Sequence, residues 1–109
     1  MHQTQWLAVL RPGRPTFPGD ATPDEMAQVQ RHAEWLEGLA KEGRVLLFGR
    51  TQDESEREPM GLVIFTAESR EAAEALMRED PALREGLMAW EVRPYAIAGV
   101  GAGVVHAAG

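Results

Sequence analysis

Cysteine is absent from the 109 residues. That excludes disulfides, thiolate metal sites and a cysteine nucleophile, and it fits a reducing cytoplasm, the expected location. Basic residues are scarce: 11 Lys and Arg stand against 17 Asp and Glu, for a net charge of −6. Such a balance offers no cationic stripe to a nucleic-acid backbone and no basic amphipathic helix to an anionic membrane. No apolar run approaches the ~20 residues needed to cross a bilayer. The first residues, MHQTQWLAVLRPGRP, lack the charged-then-apolar layout of a secretory leader, so none is expected. The histidines, His2, His32 and His106, are far apart and show no metal-ligand spacing, so no metal is expected. Ser55 falls in a polar loop and Ser69 at a helix start, neither being the strained strand-to-helix turn of a nucleophilic serine. The Gly-rich C-terminus is followed by neither a helix nor a lysine and is no phosphate loop.

What is present suffices for one domain. Gln5 to Leu10 reads as a strand, and the proline-rich residues 11–21 as a loop. Thr22-Pro23-Asp24-Glu25 is a helix start: Thr22 caps, Pro23 suits the first position, and Glu25 can reach back as the acid of a capping box. Met26, Val29, Ala33, Leu36 and Ala40 form a helical apolar stripe that ends at Gly43. Val45 to Phe48 and Leu62 to Phe65 are continuous apolar runs, read as paired strands covered on both faces. Residues 51–59, polar and acidic, form a solvated loop between them. A second helix starts at Ser69, with Ala72, Ala73, Leu76 and Met77 inward. Asp80-Pro81 opens a further turn ending near Gly86, and Ala89 to Tyr95 makes the last strand. The small apolar residues 96–109 show no helical spacing and read as a mobile tail or extended arm. The domain therefore spans residues 1–96 and the tail residues 97–109.

The order βαββαβ predicts a ferredoxin-like α+β fold, a four-stranded antiparallel sheet with two helices on one face. The other face, made apolar by the same strands, needs a cover, and a second copy of the chain packed sheet to sheet is the simplest. A homodimer through the open sheet face is thus expected.

His32 on the first helix and Asp80 after the second are the plausible acid/base pair. An imidazole is a competent general acid or base, and a neighbouring carboxylate fixes its tautomer. Each has a plain alternative: His32 can pack on Trp35, and Asp80 can simply cap the turn at Pro81. Trp6, Trp35 and Trp90 read first as core or dimer interface, while Trp35 and Trp90 are also candidates to line an apolar pocket for a flat ligand. Arg44, Arg50 and Arg93 are surface charges or receptors for an anionic or phenolic group. Glu34, Glu37, Lys41 and Glu42 form a solvated helix face.

The spacing of His32, Glu42-Gly43-Arg44, Gly49, Asp80-Pro81 and Gly86, closed by Glu91 to Tyr95, resembles the YCII-related family over roughly Trp6 to Tyr95. The resemblance implies a ferredoxin-like subunit that pairs into a dimeric α+β barrel, with an active site built around a histidine and an aspartate, here His32 and Asp80. Three features depart from the pattern. Gly49 is followed by Arg50 where family members commonly have proline, and the proline-rich loop and Gly/Ala tail are peculiar to this chain. The combined reading is a cofactor-independent enzyme performing lyase- or isomerase-type acid/base chemistry on a small cyclic or aromatic metabolite. A non-catalytic dimer that binds a small molecule or serves as a structural module is the alternative.

Overall fold

A computed structural model describes residues 4–52 and 59–107. Strands β1 (Thr4–Pro12), β2 (Val45–Arg50), β3 (Gly61–Ala67) and β4 (Met88–Pro94) form one sheet in the order β2-β3-β1-β4. Each neighbouring pair is antiparallel. Helices α1 (Pro23–Lys41), α2 (Arg70–Met77) and the single turn α3 (Pro81–Arg84) pack on one side, giving the ferredoxin-like arrangement. Alternate residues of the two central strands supply the core: Trp6, Ala8 and Leu10 from β1, and Val63, Phe65 and Ala67 from β3. They meet Leu36 and Leu39 of α1 and Ala73, Leu76 and Met77 of α2. Ala72 is exposed rather than inward, because one residue of helix turns it away from the stripe of Ala73, Leu76 and Met77.

Local chemistry sets the helix ends. Thr22 accepts from the Glu25 amide at 3.1 Å while the Glu25 carboxylate accepts from the Thr22 amide at 2.9 Å. Both halves of the capping box are therefore made, and Pro23 occupies the start. Gly43 closes α1 with φ +81, a left-handed value that glycine tolerates without steric cost.

A second small core lies under the proline-rich loop, where Phe17 packs with Ala82 and Leu87. Gly13 donates its amide to the Leu87 carbonyl at 2.8 Å. A Cβ there would come within 2.4 Å of the Gly86 oxygen, so only glycine allows the approach. The loop is pinned at its other end by Arg14, which binds Glu25 through two bonds of 2.8 Å and Asp20 at 2.8 Å. The Arg14 hydrogen bonds, with the Thr22 amide second, pull the Glu25 carboxyl down from 4.5 to about 2. The Asp20 carboxyl is also lowered, by Arg14 and then Thr16. A carboxyl lowered by folding stabilises the native state fully above its unfolded value and loses that contribution as it protonates. Glu25→Gln, which keeps the capping geometry, is therefore expected to melt at a lower temperature than the parent at neutral pH. The gap should close as pH falls from 4.5 towards about 2, in a series of thermal melts.

β2 is an edge strand, with a register shift between Val45 and Leu47. Only Val45 is buried, and Leu46, Leu47 and Phe48 are 43%, 41% and 36% exposed. Within one chain this edge strand, beyond the reach of α2, is covered mainly by α1 on one face, and its other face is open. The tail is not wholly extended either, since Ala102–Ala107 forms a short helix, α4. Of the expected acidic loop, residues 53–58 lie outside the described residues. Its ends meet where the Thr51 amide donates to the Met60 carbonyl at 2.8 Å. Among the described residues no helix is long and apolar enough to cross a membrane.

Candidate active site

His32 and Asp80, 48 residues apart in sequence, are in direct contact: Nδ1 of His32 lies 2.5 Å from Oδ2 of Asp80. Their side chains are 13% and 1% exposed. The contact follows from α3 packing against α1, with Asp80 as the N-cap of α3. Its other oxygen, Oδ1, accepts from the Ala82 amide at 2.9 Å. One carboxylate oxygen thus caps the turn while the other holds the imidazole. A carboxylate that accepts from Nδ1–H leaves Nε2 as the ring nitrogen with a lone pair. This is the orientation a general base needs.

The imidazole forms part of the wall of a cleft of about 520 Å³ between α1 and the sheet. Met26, Val29, Ala33 and Leu36 of α1 form one side, and Leu10, Phe48 and Val63 of the sheet the other. Phe17 and Pro18 close it from the proline-rich loop, and Pro59 and Met60 from the β2–β3 connection. The half-exposed Met26, out of place in a core stripe, is explained by this lining position. The volume falls within the range of small-molecule sites, and the walls around the imidazole are mainly apolar.

The other proposed ligand contacts divide. Arg50 lines the cleft. Trp35 and Trp90 do not. Trp35 turns past the α1 face that carries Val29, His32 and Leu36 and packs against the main core. Trp90 packs on the same core with the Arg78 guanidinium 5.8 Å from its ring, on β4 at the edge of the sheet opposite to β2. Arg44 precedes β2 at the end remote from Arg50, and Arg93 pairs with Leu7 on the open face. Sequence reasoning passed over Phe17, Phe48 and Met60. A lone aromatic in a Pro/Gly loop was the available signal for Phe17, and two-residue alternation with Arg50 for Phe48. Among the described residues no cluster of three or more His, Cys, Asp or Glu is arranged to hold a metal.

Comparison with known proteins agrees with this architecture. The chain is similar to the 5-chloro-2-hydroxyhydroquinone dehydrochlorinase of Burkholderia phenoliruptrix AC1100, solved in complex with 2,5-dihydroxybenzoquinone. The TM-score is 0.54 at 18% identity, over 84% of this chain and 93% of that one. It is also similar to SnoaB, a cofactor-independent oxygenase of Streptomyces nogalater, with a TM-score of 0.46 and 7% identity over 92% of this chain and 97% of that one. Among curated proteins none matches. A family model for the YCII-related domain matches residues 8–96, nearly all of the sheet and the helices that form the cleft. The chain therefore belongs to the YCII-related domain family.

Proposed function

We propose that this protein is a cofactor-independent enzyme that moves a proton on a small cyclic or aromatic oxygenated metabolite, in a lyase- or isomerase-type step. The observation that carries the reading is the His32–Asp80 contact on the wall of an apolar cleft. His32 takes a proton through Nε2, and Asp80 holds the tautomer and the imidazolium that forms. In an elimination the electron pair released by deprotonation enters the ring, and a leaving group departs with its own bonding pair. The product is poorer by one H–X, and no oxidant is needed. The dehydrochlorinase of similar fold supports this class of step as analogy, which sets a prior and no more. The test is transfer of solvent deuterium into hydroxylated and halogenated hydroquinones, followed by NMR. Exchange or product formation that disappears in His32→Asn supports the reading. A protein inert towards the whole set, with His32→Asn only melting earlier, leaves the pair a structural tie between α1 and α3.

The working form in this proposal is a homodimer through the open sheet face. Leu47, Ile64 and Leu7 lie side by side across β2, β3 and β1 on that face, and Leu47 is 41% exposed. Apolar rows of this kind mark interaction surfaces. Ile64→Lys, at the centre of the row, is expected to give a folded monomer by light scattering where the parent is a dimer. An unchanged mass would remove this face from the interface.

A further inference from the structure

We infer that the cleft selects a planar ring carrying an anionic oxygen, a carboxylate or a phenolate, and that Arg50 and Arg11 at its mouth receive that group. The inference rests on the acid/base reading of the same cleft and narrows its substrate class. Among the described lining residues the ionisable ones are Arg11, His32 and Arg50, with no carboxylate. In a chain whose acids outnumber its bases 17 to 11, the basic groups among the described lining residues run against the overall charge. An acidic protein repels anions at long range, so a local cationic rim is what lets one settle.

The register explains the placement. Phe48 and Arg50, two residues apart on β2, share a face, and Phe48 lines the cleft. Arg50 pairs with Gly61, which pairs on its other side with Leu10. Arg11 follows Leu10 and reaches Met60, its Nη2 lying 3.7 Å from the sulfur. The two arginines therefore come from the strands on either side of β3, Arg50 on the cleft face beside the bare Gly61 and Arg11, by the same alternation, from the opposite face at the strand end. A thioether is a weak acceptor and engages one of the five N–H donors of Arg11. Guanidinium groups recognise planar oxyanions through paired hydrogen bonds, and such bonds strengthen beside apolar walls. A ring seated between Phe48 and the α1 side chains would direct one substituent to this rim while another part of the ring meets His32.

Binding of matched pairs, measured by titration calorimetry, tests the inference. The pairs are para-hydroxybenzoate with its methyl ester, and para-nitrophenolate with para-nitroanisole. In at least one pair the anion is expected to bind about tenfold tighter than its neutral partner, with a preference that shrinks as salt is added. Arg50→Met should remove most of that preference, Arg11→Met part of it, and the double variant all of it, with the neutral compounds unaffected. Discrimination in the first pair alone names a carboxylate, and in the second alone a phenolate. His32→Asn should keep the anion preference even where turnover is lost, so the two readings fail separately. Equal binding of anion and neutral partner in both pairs, no binding of any of them at millimolar concentration, or a preference that survives the double variant would each overturn the inference.

Discussion

His32→Asn is expected to leave a folded protein whose turnover is lower by about 10²–10⁴-fold, the usual share of a positioned general acid or base. The asparagine amide can still donate towards Oδ2 of Asp80, which the imidazole now contacts at 2.5 Å, so the packing of α1 on α3 keeps its polar link. What disappears is the second nitrogen, since no group of asparagine reaches the position of Nε2. A loss confined to kcat, with substrate binding little changed, is therefore the outcome to look for by steady-state kinetics and calorimetry. Equal activity of variant and parent would sink the acid/base role of this residue.

The second large effect is at Asp80, and it separates structure from chemistry by the choice of replacement. Asp80→Ala removes the cap bond to the Ala82 amide and the partner of His32 from a site that is 1% exposed. A lost cap costs about 1 kcal/mol and a buried polar group left without its partner about 1–3. The expected total is about 2–4 kcal/mol, a fall in Tm of roughly 10–25 °C for a domain of this size. Asp80→Asn keeps an oxygen for the Ala82 amide and should fold with a much smaller loss. Its NH2 donates to Nδ1 of His32, forcing the proton onto Nε2 and removing the lone pair that a base requires. Activity should then fall by up to about 10⁴-fold, as when the orienting aspartate of a Ser-His-Asp site is replaced. A stable Asp80→Asn variant with parental turnover would show that the carboxylate serves the fold alone.

Arg14 links these effects to the proline-rich loop. By holding Asp20 and Glu25 it fixes the segment that places Phe17 against Ala82 and Leu87, beside the turn that Asp80 caps. The loop thus does two jobs, closing one end of the cleft and covering α3.

The sequence by itself determined what depends on neighbours in the chain. The start of α1 is legible because a capping box joins residues three apart, its end because Gly43 adopts a conformation that costs other residues more, and the turn at Asp80 because aspartate before proline caps a helix. Strand order followed because the alternation of two strands, a helix pattern between strands, and short connections leave few topologies. Tertiary structure decided the rest. The approach of His32 to Asp80 depends on the packing of α1 against α3, which no local spacing encodes. Trp35 and Trp90 left the cleft because their directions are fixed by helical phase and by the position of β4 in the sheet, to within one residue of rotation or one strand of displacement. β2 is open on one face within a single chain because edge position is a property of the whole sheet. Arg11 and Arg50, distant in sequence, come to one end of β3 only through the sheet, where Arg50 pairs with Gly61 and Arg11 reaches Met60. Local rules fix conformation, and long-range packing, where entropy lost on closure is repaid by buried area, chooses which side chains share a site.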